Sequence, residues 1–120
     1  MKVPVNLSYA VRLLAQDPSE ASETVLNTVF VNASDDMVLR RDVILAMTYH
    51  RASYWLSMRL PRFATATRWE RKAILASSYV LGDEGDHWRK NSRAQLNPEE
   101  QRFLKWLGQK NNGRAWLPPV

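Results

Sequence analysis

The stretch LRRDVILAMTYH at residues 39–50 decides the fold, because a related stretch, WERKAILASSYV, follows at residues 69–80. The matching positions, at an offset of thirty residues, are Arg41 with Arg71, Ile44 with Ile74, Leu45 with Leu75, Ala46 with Ala76 and Tyr49 with Tyr79. Self-similarity at a period of roughly 20–50 residues indicates helical hairpins that stack as a repeat. The sequence therefore predicts an all-α fold of antiparallel helical hairpins, stacked as a short HEAT-like repeat of about six to seven helices.

Each repeat unit is expected to hold a long helix followed by a shorter one. The expected segments are repeat units at about 36–60 and 67–90, flanking helices at 6–31 and 97–110, and an extended tail at 114–120. A pair of amphipathic helices cannot bury its apolar face alone, so neighbouring units stack. We therefore predict a single α-helical domain over residues 1–120.

Capping patterns mark several helix starts. Asn97, followed by proline and two glutamates, combines a capping side chain with negative charge at the positive end of a helix. Thr67 and Glu70 fit a capping box, in which the hydroxyl and the carboxylate each satisfy a backbone N–H. For the long helix of the first unit, we expect Ser34 or Asp35 to be the cap.

Composition excludes several classes of protein. The 120-residue chain contains no cysteine, which rules out disulfides, zinc–cysteine sites and thiol nucleophiles, and suits a cytoplasmic location. No run of eighteen apolar residues is present, so no membrane segment is expected. The first fifteen residues do not resemble a signal peptide. With only four glycines, no glycine-rich phosphate loop is possible.

Catalytic and metal-binding patterns are also missing from the sequence. His50 and His87 lie far apart, and Asp83, one helical turn before His87, adds only a second potential ligand. The acidic doublet Asp35-Asp36 stands where a helix needs a cap, which is a better explanation than magnesium binding. No serine stands in a nucleophile-elbow context. We therefore predict a non-enzyme with no cofactor, no metal and no small-molecule ligand.

Positive charge is concentrated in the middle of the chain. The formal net charge is +5, but residues 37–82 hold eight basic and two acidic residues, whereas residues 1–36 hold two basic and five acidic ones. Such a distribution suggests a polyanion or an acidic protein surface as partner. The alternative is an ordinary solvated face.

Basic doublets occupy matching places in the first turns of the two long helices, at residues 40–41 and 71–72. Positive charge there opposes the helix dipole, so a compensating interaction is expected. One possibility is an ion pair between units, with these combinations: Arg41 with Glu70, or Arg71 with Asp42. The other is a ladder of guanidinium groups that grips phosphates.

Further basic side chains extend the set of candidate contacts. Arg59, Arg62 and Arg68 fall around the predicted loop between units and are expected to be free for a partner. The candidate nucleic-acid-binding residues are Arg40, Arg41, Arg59, Arg62, Arg68, Arg71 and Lys72. The tryptophans of this region are expected to be core anchors rather than base-stacking platforms; they are Trp55, Trp69 and Trp88.

Over residues 36–90 the sequence resembles the helical region that follows the polymerase core in some bacterial reverse transcriptases, including defence-associated and abortive-infection types. The residues that carry this resemblance are Arg40-Arg41, Ile44-Leu45-Ala46, Trp55-Leu56, Trp69-Glu70-Arg71-Lys72-Ala73-Ile74, Leu81-Gly82-Asp83-Glu84 and Trp88. The resemblance implies an RNA-directed DNA polymerase, acting in antiviral defence, of which this chain is a helical appendage.

The polymerase chemistry of that family cannot be transferred to this chain. Its Tyr-x-Asp-Asp motif is missing, because Asp35-Asp36 follows Ala33-Ser34. What the resemblance implies is a non-catalytic helical-repeat domain that contacts RNA or single-stranded DNA, or packs on its own polymerase core or other subunits. The alternative is a stand-alone protein–protein interaction or oligomerisation adaptor, with exposed Trp or Met in a self-complementary or acidic-partner interface.

Overall fold

A computed structural model describes residues 7–17, 19–33 and 35–109, without the side chains of residues 7, 8 and 109. The α-helices of this part are α1 Leu7–Leu14, α2 Glu20–Asn32, α3 Met37–Tyr49, α4 Ser53–Ser57, α5 Arg68–Ser77, α6 Gly82–Ser92 and α7 Pro98–Gln109. Short 3-10 helices cover Leu60–Thr65, Ser78–Leu81 and Arg93–Gln95. The described residues form seven α-helices and no strand, which confirms the predicted all-α fold. The predicted tail at 114–120 lies outside the described residues.

The long helices of the two repeat units lie side by side. α3 and α5 make the most extensive contact, α1 and α2 pack on α3, and α7 packs on α5. The first predicted unit corresponds to α3 and α4, and the second to α5 and α6. The predicted loop between them is instead the 3-10 helix Leu60–Thr65, because Pro61 fits the start of a helical turn.

The duplicated triplets form the centre of the core. Their side chains, none more than 4% exposed, are Ile44, Leu45, Ala46, Ile74, Leu75 and Ala76. One apolar cluster extends from Val11 in α1 to Leu107 in α7 and includes these residues. The repeat in the sequence therefore corresponds to the shared core of two neighbouring helices.

The N-terminus of α3 is capped one residue later than expected. Asp36, rather than Asp35, accepts a hydrogen bond from the backbone N–H of Leu39 at 3.0 Å. Asp35 is exposed in the preceding turn, and Ser34 lies outside the described residues. A carboxylate at the residue before the helix also interacts favourably with the positive end of the helix dipole.

The predicted starts of α7 and α5 behave differently. At α7, Asn97 caps the helix as predicted, because the Glu100 N–H donates to Asn97 Oδ1 at 2.8 Å. The Asn97 N–H also donates to Glu100 Oε1 at 3.0 Å, which completes a capping box that was not predicted. At α5, the Thr67 hydroxyl donates to the Glu70 carboxylate at 3.3 Å and caps no backbone group. The Glu70 carboxylate is engaged instead by Arg40, at 3.0 Å.

That ion pair belongs to an interaction that ties α3 to its neighbours. The Arg40 guanidinium lies 3.7 Å from the centroid of the Phe30 ring in α2, and its Nη1 donates to the Phe30 carbonyl at 3.0 Å. Its Nε donates to Glu70 in α5. Arg40 therefore joins α2, α3 and α5 through stacking, a backbone hydrogen bond and a charge pair.

Arg71 repeats this arrangement one unit further along. Its guanidinium lies 4.1 Å from the Phe63 ring centroid and donates to Glu100 through two bonds of 2.7 and 2.8 Å. Arg40 and Arg71 are each the fourth residue of their helix, and each pairs with the third residue of the next long helix. We call these two contacts the arginine clasps.

The clasps show that the expected ion pairs had the wrong partners. Glu70 binds Arg40 rather than Arg41, and Asp42 binds its neighbour Arg41, at 2.8 Å, rather than Arg71. Ion pairs between stacked units are nevertheless present. In each of them, a carboxylate in the first turn of one long helix meets an arginine of the long helix that precedes it in the sequence.

Two glycines allow the backbone after α5 to turn and to pack closely on itself. Gly82 adopts a positive φ of 56° at the turn between the 3-10 helix Ser78–Leu81 and α6, which glycine does without strain. A Cβ atom on Gly85 would lie 1.8 Å from the Ser78 carbonyl oxygen. Only glycine fits at this crossing, which holds α6 against the end of the preceding helix.

Candidate functional site

A polar cleft opens between α3, the 3-10 helix Leu60–Thr65 and α5. Its volume is about 190 Å³. The residues that line it are Arg40, Ile44, Arg59, Arg62, Thr65, Ala66, Glu70 and Ile74. Three guanidinium groups and one carboxylate therefore face a shared space, which we call the arginine cleft.

Arg59 is half-buried in the arginine cleft and forms no ion pair with a carboxylate of the described residues. Its guanidinium lies 5.2 Å from the Phe30 ring centroid and 5.0 Å from that of Trp55. Its Nε is buried and has no hydrogen-bond partner among the residues that the structure describes. Burial, and then the charges of Arg62 and Arg40, lower the pKa of Arg59. An arginine remains protonated at neutral pH even so, and an anion bound in the cleft would offset its charge.

The other two arginines differ in their pairing. Arg40 is held by Glu70 through the first clasp. Arg62 is exposed on the 3-10 helix, and no ion pair joins it to a carboxylate of the described residues. Because Glu70 neutralises Arg40, the charges of Arg59 and Arg62 give the cleft a net positive charge.

The remaining predicted site residues lie elsewhere. Arg68 and Lys72 both pair with Glu99 in α7, at 3.2 and 2.6 Å, and hold its pKa below the ordinary value. Arg71 is engaged in the second clasp, and the bond to Glu100 raises the pKa of Arg71. The structure thus brings Arg59 and Arg62 together with Arg40, and it separates Arg68 from them.

Of the three tryptophans expected in the core, two pack inwards. The Trp55 and Trp88 rings meet phenylalanine rings edge-on, at centroid distances of 5.0 and 5.2 Å. Trp69 is 41% exposed, so its assignment as a core anchor was wrong. Trp69 is the second residue of α5, and its side chain lies on an exposed side of the helix.

Other chemistries find little support in the described part of the chain. It holds no group of three or more His, Asp or Glu side chains that could bind a metal ion. His50 hydrogen-bonds the Leu14 carbonyl at 2.9 Å, and His87 bonds Asn91, so both imidazoles have local structural partners. Among the described helices, none is long and apolar enough to cross a membrane.

A larger hollow lies beside α7. Its volume is about 490 Å³, and its lining includes Arg93, Lys105 and Tyr79. Both cations are exposed, and the Tyr79 hydroxyl already donates to the Leu104 carbonyl at 3.3 Å. The described residues that line this hollow therefore supply no buried, unpaired donor like the Nε of Arg59.

Comparison with known proteins gives no relative for this chain. No family model matches it, and neither a curated protein nor a solved structure matches it. The geometry of the arginine cleft and its surroundings is therefore the basis for assigning a function.

Proposed function

We propose that the chain is a non-catalytic helical-repeat module that binds the phosphate backbone of nucleic acid at the arginine cleft. The observation that carries this proposal is the half-buried guanidinium of Arg59 beside the exposed Arg62, neither of which forms an ion pair with a carboxylate of the described residues. A phosphate group supplies two oxygen acceptors in the plane that a guanidinium prefers. It would offset the charge repulsion among the cleft arginines.

The size of the cleft favours a polymer over a free metabolite. About 190 Å³ is less than the roughly 300–1,000 Å³ of a pocket that encloses a small molecule. One phosphate fits in such a space while the rest of the chain runs over the surface. The excess of basic residues over 37–82 would attract a polyanion and accelerate its association.

The direct test removes the two cleft charges that lack ion pairs. Labelled single-stranded RNA and DNA are titrated by fluorescence anisotropy with wild type and with the variant Arg59→Gln/Arg62→Gln. The control, Arg93→Gln/Lys105→Gln, removes the same charge from the exposed hollow beside α7. We expect the cleft variant to bind about tenfold or more weakly and the control to bind within about threefold of wild type. Equal losses in both variants would contradict a cleft-specific site.

We further propose that this module belongs to a reverse-transcriptase-type protein, where it holds template or product or packs on the polymerase core. The support is the resemblance of residues 36–90. Many residues that carry it are buried in the core or form the clasps, for example Ile44, Ile74 and Arg71. The coding sequence next to that of this chain tests the idea, because a Tyr-x-Asp-Asp motif in frame upstream is expected.

A second candidate function is a protein-interaction or oligomerisation adaptor. Its support is the exposure of two large apolar side chains at the short helix α4. Tyr54 in α4 is 83% exposed, and Met58, the residue that follows α4, is 48% exposed. Sedimentation velocity over a range of concentrations tests this candidate. Self-association that Tyr54→Ser abolishes would support it, whereas a monomer at every concentration would contradict the oligomerisation role.

A further inference from the structure

Trp69 is placed unlike the other tryptophans of the repeat. It is 41% exposed, and no aromatic ring packs against it in the described part of the chain. Two guanidinium groups border its ring instead: those of Arg41 and Arg68 lie 5.4 and 5.6 Å from the ring centroid. The exposed part of this indole therefore presents an aromatic surface beside two cations.

This indole lies next to the arginine cleft. Trp69 precedes Glu70, a residue of the cleft wall, and Arg41 follows Arg40, the partner of Glu70 in the first clasp. Successive residues of a helix point about 100° apart, so these neighbours face different directions from the same turn. Trp69 and the arginine cleft therefore adjoin each other along the first turns of α3 and α5.

Both arginines beside the Trp69 ring form ion pairs with a carboxylate. Arg41 donates two hydrogen bonds to Asp42, at 2.8 and 3.1 Å, and Arg68 donates two to Glu99, both at 3.2 Å. These guanidinium groups are planar and can stack on a base as the indole does. The three side chains together form an aromatic and cationic surface. The largely buried Arg41–Asp42 pair orders part of this surface before a ligand binds, which lowers the entropic cost of binding.

We propose that Trp69 stacks on an unpaired base of a single-stranded nucleic acid whose phosphate occupies the arginine cleft. This inference rests on the proposed function and adds a preference for single strands. A base in a duplex is already stacked on both faces, whereas a base in a single strand can turn onto the indole. Stacking of one base on an aromatic side chain strengthens binding roughly five- to hundredfold and depends little on sequence.

Trp69→Leu tests the inference, because leucine keeps an apolar side chain but removes the π face. Trp106→Leu is the matched control, since Trp106 is 38% exposed and stacks on Phe103 in α7. Dissociation constants are measured by anisotropy for a labelled 12-nucleotide single strand and for the blunt duplex of the same sequence. Urea unfolding of each variant confirms that it is folded under the conditions of the titration.

We expect Trp69→Leu to weaken single-strand binding at least about fivefold, with duplex binding and the salt dependence unchanged because no charge is removed. Trp106→Leu should leave both affinities unchanged. Unaltered single-strand binding by Trp69→Leu, or equal loss for single strand and duplex, overturns the stacking inference. If Arg59→Gln/Arg62→Gln still weakens binding in that case, the proposed function stands alone; if wild type binds neither ligand, both fail.

Discussion

Replacing Arg71 with methionine should destabilise the fold more than the same replacement at Arg40 or Arg68. Arg71 donates to Glu100 at 2.7 and 2.8 Å and to the Gln95 carbonyl at 2.9 Å. The Glu100 side chain is only 3% exposed, so methionine would leave its carboxylate buried without its cation. Breaking a fully buried pair costs about 3–5 kcal/mol. Since Arg71 is 18% exposed and Glu100 keeps the Asn97 N–H, we expect about 2–3 kcal/mol.

The other two arginines provide a graded comparison. Arg40→Met removes one hydrogen bond to Glu70 and one to the Phe30 carbonyl. Because Glu70 is 11% exposed and keeps the Thr67 hydroxyl, a loss of about 1–2 kcal/mol is expected. Arg68→Met breaks a pair whose arginine is 66% exposed, and the expected loss is below about 0.5 kcal/mol.

Urea unfolding followed by circular dichroism at 222 nm (a helix band) measures all three variants. Equal m-values would show that the variants differ in stability and not in the surface that unfolding exposes. A double-mutant cycle with Glu100→Gln isolates the second clasp and should give a coupling of at least about 1 kcal/mol. A loss for Arg71→Met no larger than that for Arg68→Met would refute the argument from burial.

Three further changes test other contacts. Arg71 holds the pKa of Glu100 below its ordinary value, so this carboxylate stabilises the fold above about pH 4.3, and the effect fades as pH falls through the folded pKa. Glu100→Gln should therefore be less stable at pH 7, and the gap should close in acid-titrated melts. Gly85→Ala should lose at least about 2 kcal/mol through its clash with Ser78, measured by urea unfolding, whereas Gly108→Ala should be neutral or stabilising. Asp36→Ala should cost about 1 kcal/mol in the same assay.

The repeat was the most predictive feature of the sequence. The aligned triplets at Ile44 and Ile74 became the shared core, because side-chain burial follows local apolar pattern directly. The cap at Asn97 was also predictable, since its partner lies within one turn. Local patterns of this kind need no knowledge of the neighbouring helices.

Features that depend on neighbouring helices could not be predicted. Glu70 looked like part of a capping box, but packing of α3 brought Arg40 to it, and a charge-assisted bond is stronger than the cap. The repeat in the sequence matched Arg41 with Arg71, whereas Arg40 makes the ion pair that corresponds to that of Arg71. Spacing alone does not fix which of two adjacent arginines faces the next helix.

The arginine cleft was anticipated only in part. Arg59 and Arg62 were expected to be free in a loop together with Arg68, but the segment is a 3-10 helix that turns Arg59 onto two aromatic rings. Arg68 begins the next helix and pairs with Glu99. Arg40 lines the arginine cleft, whereas the adjacent Arg41 borders the Trp69 ring. No periodic pattern in the sequence indicates these different positions.

The salt dependence of single-strand binding tests the central claim most directly. Each phosphate contact to single-stranded nucleic acid contributes about −0.7 to the slope of log K against log salt concentration. Because the cleft holds one phosphate, removing Arg59 and Arg62 together should reduce the magnitude of the slope by about 0.7, while Arg93→Gln/Lys105→Gln leaves it near the wild-type value. A wild-type affinity that is independent of salt, or an unchanged slope for Arg59→Gln/Arg62→Gln, would contradict phosphate binding at the arginine cleft.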